Sequence, residues 1–339
     1  MSKTILLTGV TGFIAKRIAL DLLNAGYRVR GSRRSDGRDD EVRDALRPHL
    51  TDEGALDRLS FVSLDLTEDA GWDAAMEGVD VLVHTASPFP GGEPKDEMEL
   101  IRPAVDGALR ALKAAQAKGV TRVVLTSSMV AVMYKDLSDG QRITPEDWSD
   151  LDHASVGAYA KSKTLAEKAA WDFVKEHPEM QLSTINPGLV MGPPVDRNYG
   201  TSLEVVEQIM SGAFPRVPDV AIPAVDLRDV SAAHIRAFEV EGAVGKRFLL
   251  AEDHVKMLEI AKAIKEAVPS SKAPTKLAPN FLVSLLALFN QQMRQLKPTL
   301  GIKARIDNSR TRDLLGIDFI ASEEAAKASA RAIEEFKAA

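Results

Sequence analysis

The sequence predicts an α/β fold in which a doubly wound, Rossmann-type parallel sheet carries a smaller C-terminal substrate lobe. Three observations support this prediction. Short β-rich runs alternate with longer helical patterns through the first half, the first run enters a glycine-rich turn, and Pro- and Gly-rich loops follow residue 186. The 339 residues are 45% hydrophobic and 27% charged, which is enough apolar material for one large core or a core with a smaller lobe.

Six short runs in the first half are rich in residues that favour strands. We predict strands over residues 4–8, 27–32, 61–65, 79–84, 122–126 and 181–186. Between the first two, Ile14, Ile18 and Leu22 recur every four residues, which predicts an amphipathic helix packed on the sheet. Gly26 follows in the position of a C-terminal cap. Strands separated by helices in this way form parallel sheets with both faces covered.

The alternation breaks after Asn186, although strand-like segments return at residues 221–224 and 247–250. We therefore expect residues 1–190 to form a nucleotide-binding domain that also takes in later sheet elements near 221–250. Residues 191–339 are expected to form the smaller substrate-binding lobe, interleaved with the first domain.

The composition argues against several classes of function. The chain has no cysteine, which excludes disulfides, thiolate metal sites and cysteine nucleophiles. Its six histidines are scattered without the spacing of metal ligands, so we expect no metal. The net charge is −6 and no long run of one sign occurs, so we expect no nucleic-acid partner.

Two apolar segments bear on membranes and targeting. Gly9 and Gly12 interrupt the N-terminal apolar run before the core of a signal peptide forms, so we expect a cytoplasmic protein. The most hydrophobic segment, residues 281–289, is far shorter than the roughly 20 apolar residues of a spanning helix. We expect no membrane span, and the pattern favours a buried helix over a membrane-facing or dimerising patch.

The glycine-rich turn at residues 8–15 indicates a dinucleotide site. Gly9 permits the tight turn, Gly12 lets the backbone approach a pyrophosphate, and Ala15 lets the helix sit close to the sheet. The helix N-terminus then offers free N–H groups and a positive dipole end. The alternative is a purely structural turn. The residues expected to contact the cofactor here are Gly9, Thr11, Gly12, Phe13 and Ile14.

The end of the second strand favours NADP(H) over NAD(H). An acidic residue roughly 20 positions after the glycines would bind the ribose 2′-hydroxyl of NAD. Arg33 and Arg34 stand there instead, and Arg33 lies 21 residues after Gly12. Guanidinium groups can hold a 2′-phosphate through paired hydrogen bonds, whereas a carboxylate would repel it. The alternative is that both arginines belong to a solvated loop.

Tyr159 and Lys163 are candidate catalytic residues at the start of a predicted helix. Their spacing of four puts both side chains on one helix face. A free tyrosine has a pKa of about 10, and a neighbouring ammonium is expected to lower that value and make Tyr159 a usable proton donor or acceptor.

The third candidate, Ser128, follows the buried strand at residues 122–126. Ligands of parallel α/β sheets bind beyond the carboxyl ends of the strands, which is also where Gly9 and Gly12 lie. Ser128 is therefore expected to hydrogen-bond a substrate carbonyl oxygen beside Tyr159. For Ser127 and Ser128 the alternative role is capping, and one of the two is expected to do only that.

Several motifs together resemble those of extended short-chain dehydrogenases/reductases, nearest to the dihydroflavonol reductase and aldehyde (carbonyl) reductase branch. The resemblance runs from about residue 4 to residue 318. Besides the glycine-rich turn, its motifs are Val83-His84-Thr85-Ala86-Ser87-Pro88-Phe89, Leu125-Thr126-Ser127-Ser128, Tyr159 with Lys163-Thr164-Leu165-Ala166-Glu167, Asn186-Pro187-Gly188-Leu189-Val190-Met191-Gly192-Pro193 and Asp226-Leu227-Arg228-Asp229-Val230.

The resemblance implies roles for particular residues. Ser128, Tyr159 and Lys163 would be the catalytic triad, with Lys163 also binding the nicotinamide ribose, and Arg34 would bind the 2′-phosphate. The remaining implied cofactor contacts are Asp65 and Leu66 beside adenine, Thr85, Ala86, Ser87 and Thr126 along the dinucleotide, and the segment from Pro187 to Val190 at the nicotinamide.

The implied activity is NADP(H)-dependent reduction of an aldehyde or ketone to an alcohol, with a small-molecule carbonyl or alcohol as substrate and a monomer or homodimer as the functional unit. Met133 stands where plant dihydroflavonol reductases have a flavonoid-recognising Asn, and Gly157 and Ala158 replace the Asn-Trp of cinnamoyl-CoA reductases. Phe89, Met133, Met191 and the loop at residues 193–215 are expected to shape an apolar substrate pocket.

Two alternatives remain open at this point. A nucleotide-sugar epimerase or dehydratase would use the same fold and the same Ser, Tyr and Lys with tightly held NAD. A non-catalytic NADP-sensing protein would bind the cofactor without needing the three catalytic residues together.

Overall fold

The computed structural model describes residues 2–35, 37–88, 94–213 and 215–338. Phe89, one of the residues predicted to shape the substrate pocket, lies outside these ranges. The strands in chain order are β1 Thr4–Thr8, β2 Arg28–Arg33, β3 Leu59–Ser63, β4 Val81–His84, β5 Arg122–Thr126, β6 Arg142–Ile143, β7 Gln181–Pro187, β8 Leu189–Met191, β9 Ala221–Asp226, β10 Lys246–Leu250, β11 His254–Lys256 and β12 Arg305–Ile306.

Helices cover both faces of the main sheet and build much of the C-terminal part. They are α1 Phe13–Asn24, α2 Asp39–Leu46, α3 Trp72–Met76, α4 Met98–Ala117, α5 Ala158–Glu176, α6 Gly200–Ser211, α7 Leu227–Glu239, α8 Met257–Ala267, α9 Asn280–Leu286, α10 Gln291–Leu296, α11 Ser309–Leu315 and α12 Ser322–Ala338. None of the helices within the described ranges is long and apolar enough to cross a membrane.

The main sheet has seven parallel strands in the order β10-β7-β5-β4-β1-β2-β3. The chain reverses direction of travel across the sheet between β1 and β4, which is the switch point of a doubly wound fold. Buried apolar residues from β1, β4 and β5 lie at its centre, packed between helices on the two faces. The predicted α/β, Rossmann-type architecture is therefore confirmed.

Two smaller sheets lie outside the main one. β8 pairs with β9 in parallel and β11 pairs with β9 antiparallel, while β12 pairs with β6. The chain passes from β7 into β8 at Gly188, where a Cβ atom would lie 2.4 Å from the carbonyl oxygen of Pro223. Only glycine fits this close approach. The division into domains at residue 190 stays a prediction.

Several local expectations were wrong. The strand predicted at residues 61–65 begins earlier, at Leu59, and Asp65 instead accepts hydrogen bonds from the backbone and hydroxyl of Thr67 in a turn. The segment at 193–215 is not a loop throughout, because it contains α6. That helix buries Leu203, Val206 and Ile209, which have the spacing of one apolar helix face.

The apolar segment at residues 281–289 is not a buried helix, contrary to expectation. Val283 and Ala287 are buried, but Phe281 and Phe289 are 75% and 86% exposed. One stripe of the segment packs inward, and the other apolar side chains remain on the surface.

Candidate active site

The glycine-rich turn joins β1 to α1 at the switch point of the sheet. Gly9 has a φ of +70°, which a residue with a side chain rarely adopts, and a Cβ there would lie 3.2 Å from Ala86. α1 begins at Phe13, and its N-cap residue Gly12 provides no side-chain cap. The N–H groups of the first helical turn are therefore left for another partner, such as an anion.

A cavity of about 250 Å³ opens beside this turn, across the carboxyl ends of the strands. It brings the predicted nucleotide-binding segment together with the predicted catalytic residues, although these lie more than a hundred residues apart in sequence. The predicted site residues that line it are Gly9, Gly12, Phe13, Ile14, Thr85, Ser87, Thr126, Ser128, Tyr159, Lys163, Pro187 and Val190.

Other residues of this lining were missed by sequence reasoning. Ala15 and Ser127 adjoin predicted site residues, whereas residues 199–202 come from the start of α6. Gly188 also lines the cavity and belongs to the segment expected at the nicotinamide. Gly200, Thr201 and Ser202 give only a weak sequence signal for a binding site, since small and hydroxyl residues in this order are also typical of an ordinary turn.

Several predicted cofactor residues lie outside this cavity lining. Ala86 packs against Gly9, and Leu66 packs against Gly107 of α4. Arg33 pairs with the carboxylate of Asp39. The other members of this group are Thr11, Arg34 and Asp65.

Arg33 and Arg34 differ in their surroundings, which the sequence did not indicate. The Arg33 side chain is only 12% exposed and is held by Asp39 at the start of α2. Arg34 is exposed, and no hydrogen bond or ion pair from it is found within the described ranges. Arg34 is thus the more available of the two for an external phosphate.

The three candidate catalytic side chains meet at one end of α5. Tyr159 is the second residue of that helix, and Lys163 lies one turn further on, with its Nζ atom 6.0 Å from the Tyr159 ring centroid. Ser128 follows β5 and hydrogen-bonds the Tyr159 hydroxyl. Its hydroxyl also accepts a hydrogen bond from the Val130 N–H, so capping and contact with Tyr159 are combined in one residue.

The prediction that Lys163 lowers the pKa of Tyr159 is wrong for the chain on its own. Burial raises the pKa of Tyr159 to about 12, despite the hydrogen bond from Ser128. Burial likewise lowers the pKa of Lys163 to about 8, against the attraction of Glu167. Desolvation, which the sequence does not reveal, dominates because Lys163 is buried and the half-buried Tyr159 is closely surrounded by protein groups.

The buried carboxylate of Glu167 is bonded to side chains from several elements near the site. In the sequence it stands out only as the last residue of the motif that begins at Lys163. Its oxygens accept hydrogen bonds from Ser127 at 2.6 Å, Asn186 at 2.7 Å and Thr184 at 2.9 Å. Asn186 also donates to the backbone carbonyl of Ser128. Glu167 thus connects α5 to the ends of β5 and β7, beside the residues predicted to act on substrate.

Arg247 of β10 compensates the charge of Glu167. Its Nε atom lies 2.7 Å from Glu167 Oε1, and its guanidinium stacks 3.8 Å from the ring centroid of Trp148. Burial alone would raise the pKa of Glu167, but Arg247, Ser127 and Asn186 together hold it below its ordinary value. The carboxylate is therefore ionised and fixed in place.

A second, larger cavity of about 470 Å³ has a mostly apolar lining. Met133 and Tyr134 line it, and Tyr134 is close enough to Tyr159 that its ionised form would oppose ionisation of Tyr159. This cavity therefore approaches the candidate catalytic tyrosine. Met133, which was predicted to shape the substrate pocket, lines this cavity. Met191 was also predicted to do so, but it is fully buried in the core and lines neither cavity.

Several polar side chains, among them Gln208, Gln295 and Thr299, interrupt this apolar lining. The hydroxyl of Ser155 is buried and has no hydrogen-bond partner among the described residues. Arg216 is the one charged residue in the described part of the lining. In those same ranges, no group of three or more metal-ligating side chains is placed to hold a metal ion.

A seven-stranded parallel sheet, a glycine-rich turn at its switch point, and Ser, Tyr and Lys in the adjoining cavity define an extended short-chain dehydrogenase/reductase. Comparison with known sequences agrees. The chain belongs to the NAD dependent epimerase/dehydratase family, whose sequence profile matches residues 5–257.

Similar proteins include reductases from plants and fungi. The chain is 35% identical to cinnamoyl-CoA reductase 1 of Arabidopsis thaliana, over 81% of this chain and 77% of that protein. It is 33% identical to the putative NADPH-dependent methylglyoxal reductase GRP2 of Candida albicans, over 94% and 95%. The crystal structure of yeast methylglyoxal/isovaleraldehyde reductase Gre2 complexed with NADPH has a TM-score of 0.82 at 27% identity and 99% coverage of both chains.

Proposed function

We propose that this protein is an NADP(H)-dependent oxidoreductase that reduces an aldehyde or ketone to an alcohol. The observation that carries the proposal is the single cavity shared by the glycine-rich turn and the Ser128, Tyr159 and Lys163 side chains. A site that only sensed the cofactor would not need a tyrosine, a lysine and a serine at the same place.

The residues present fit a dinucleotide. Gly9 and Gly12 have no side chains and so leave the backbone of the turn open at these two positions, and the uncapped N-terminus of α1 suits a pyrophosphate. Exposed Arg34 follows β2, where a 2′-phosphate would be recognised, and this supports NADP(H). When bound, the cofactor supplies a hydride to the carbonyl carbon.

The protein supplies the proton and the polarising contacts. Because burial raises the pKa of Tyr159 to about 12, this residue holds its proton at neutral pH, which is the state that a proton donor to a nascent alkoxide requires. The Ser128 hydroxyl shares a hydrogen bond with Tyr159 and can donate to the same carbonyl oxygen. Lys163, one helical turn away, holds a positive charge beside them below pH of about 8.

The second cavity supports an apolar carbonyl substrate. Its lining is mainly aliphatic, with Val205, Ile209 and Ile222 among its side chains. Arg216 is the one charged residue in the described part of this lining, and its single positive charge does not neutralise the negative charges of a nucleoside diphosphate. The unpartnered hydroxyl of Ser155 offers one hydrogen bond to a second oxygen of the substrate. We therefore propose aldehydes, ketones and α-dicarbonyl compounds as the substrate class.

Two similar proteins bear on this choice. The Candida albicans relative is named as a methylglyoxal reductase and aligns along nearly its whole length, whereas the Arabidopsis relative is named for a CoA thioester. Gly157 and Ala158 replace the Asn-Trp that precedes the catalytic tyrosine in cinnamoyl-CoA reductases. This difference favours a free carbonyl over a thioester.

The experiment that tests the proposal follows NADPH and NADH oxidation by absorbance with a panel of aliphatic aldehydes, α-dicarbonyls and aryl ketones. We expect turnover with NADPH and much less with NADH. Tightly retained NAD in the purified protein, with no turnover of any carbonyl, would contradict the proposal and favour a nucleotide-sugar epimerase.

A further inference from the structure

One part of the chain has a charge opposite to that of the rest. Residues 267–306 contain no Asp or Glu but include Lys272, Lys276, Arg294, Lys297, Lys303 and Arg305. The whole chain has 49 acidic and 43 basic residues, so its negative excess lies entirely outside this segment. Within the described ranges none of these six basic side chains forms an ion pair, which leaves their charges uncompensated.

The same segment exposes apolar side chains to an unusual extent. Of the eight large apolar residues that are exposed in the described part of the chain, six lie between residues 281 and 289. Four of them, Phe281, Leu285, Leu288 and Phe289, do not line the large cavity and are 52% to 86% exposed. Phe281 and Leu285 lie one helical turn apart on α9, and Leu288 and Phe289 follow in the turn after that helix. We call these four residues the outer apolar face.

The opposite side of α9 and α10 covers the larger, mostly apolar cavity. Val283, Leu286, Met293 and Leu296 line that cavity. Arg294 ties the two short helices together, because its guanidinium donates to the backbone carbonyls of Ala287 and Leu288. A basic group thus lies directly at the end of the outer apolar face.

From these observations we propose that the outer apolar face, with the adjoining Arg294 and the basic residues that flank it in the sequence, binds an anionic lipid surface. Exposed apolar side chains next to uncompensated basic groups are the combination that holds a helix in the interfacial layer of a membrane. The acidic remainder of the chain would be repelled by the same surface, so the protein would dock with the α9 side facing the lipid.

A second copy of this chain could also cover the outer apolar face. A symmetric dimer through this face would bring its uncompensated basic groups close to their own copies, where like charges oppose association. An anionic lipid surface neutralises those charges instead. The charge pattern therefore favours lipid.

The test is flotation of the full-length protein with vesicles of phosphatidylcholine alone or of phosphatidylcholine with phosphatidylserine. It needs no turnover, so it stands apart from the proposed reductase activity. We expect binding to the vesicles that contain phosphatidylserine, and release at high salt. Binding to neither kind of vesicle would overturn the proposal, and equal binding to both would overturn the role of the basic residues.

Paired variants separate the two contributions. The charge variant Lys272→Gln/Lys276→Gln/Lys297→Gln is expected to bind about a hundredfold more weakly. Its control, Lys3→Gln/Lys113→Gln/Lys246→Gln, removes three exposed lysines elsewhere and should bind at least as well as the unmodified protein. The apolar variant Phe281→Ser/Phe289→Ser should lose binding, whereas Met98→Ser/Leu314→Ser should keep it.

Sedimentation velocity of the same variants tests the alternative occupant. The unmodified protein and Phe281→Ser/Phe289→Ser are expected to have the same oligomeric state. A dimer that dissociates in this variant, without vesicle binding by the unmodified protein, would show that a second copy covers the face and would overturn the proposal.

Discussion

Glu167 and Arg247 form an ion pair in the protein interior, with 2.7 Å between Glu167 Oε1 and Arg247 Nε. The two residues are 80 positions apart in sequence and join α5 to the edge strand of the main sheet. Ser127, Thr184 and Asn186 complete the hydrogen bonds of the carboxylate. The helix α5, which carries Tyr159 and Lys163, is therefore fixed to the strand ends by a charge pair whose hydrogen bonds are satisfied.

Replacing one partner of this pair should be costly. Glu167→Gln leaves the Arg247 charge buried without compensation, and we expect the free energy of unfolding to fall by about 3 kcal/mol. Denaturant titration measures this change. Glu176→Gln, which alters an exposed carboxylate at the end of the same helix, should stay within about 0.5 kcal/mol of the unmodified protein. Equal effects of the two changes would refute a special role for the pair.

Arg34 should decide the cofactor preference. Arg34→Ala removes a charge-assisted contact to the 2′-phosphate, so kcat/KM with NADPH should fall about tenfold to a hundredfold while the value with NADH stays unchanged. Initial rates with the two cofactors give the ratio. Arg47→Ala, at another exposed arginine, serves as the matched control. An equal loss with NADPH and NADH would argue against recognition of the 2′-phosphate by Arg34.

Ser155 should distinguish substrates that carry a second oxygen. Ser155→Ala removes one neutral hydrogen bond, so KM for an α-dicarbonyl compound should rise roughly threefold to tenfold and KM for a simple aliphatic aldehyde should not change. Stability should not fall, because the buried hydroxyl has no hydrogen-bond partner among the described residues and its removal breaks no bond within the protein. A parallel rise for both substrates would mean that Ser155 shapes the cavity without bonding to the ligand.

Asp229 should make stability depend on pH. Burial raises the pKa of Asp229 to about 6, although the Ile320 N–H donates to it. Its folded-state pKa lies above the unfolded value, so the folded state loses stability as pH rises from about 4 through about 6. Asp229→Asn should therefore increase the free energy of unfolding at pH 7.5 by on the order of 1–2 kcal/mol, with little effect at pH 4. Thermal melts at the two pH values test this, and an equal effect at both would contradict the assignment.

The fold and the meeting of the three candidate catalytic residues could be predicted from the sequence because their signals are local. Gly9 and Gly12 stand in one turn, Tyr159 and Lys163 stand one helical turn apart, and Ser128 follows a strand with an unmistakable apolar pattern. These features depend on neighbours in the chain and survive without knowledge of tertiary structure.

Properties that depend on distant contacts could not be predicted in this way. The pKa of Tyr159 is set by burial, and Arg33 is engaged by Asp39, which only the folded structure reveals. The partnership of Glu167 with Arg247 joins two parts of the chain with no shared pattern. Residues 281–289 have the composition of a core helix, and composition alone does not indicate which side of a helix faces solvent.

The most direct test of the central claim measures NADPH oxidation by Tyr159→Phe with the best carbonyl substrate, alongside NADPH affinity from fluorescence titration. We predict a loss of turnover of about a thousandfold with affinity for NADPH nearly unchanged, because only the proton donor is removed. Tyr27→Phe, which alters a tyrosine bonded to Glu239 far from the cavity, should keep full activity. Turnover by Tyr159→Phe at close to the unmodified rate would contradict the assignment of Tyr159 as the proton donor and, with it, the proposed mechanism.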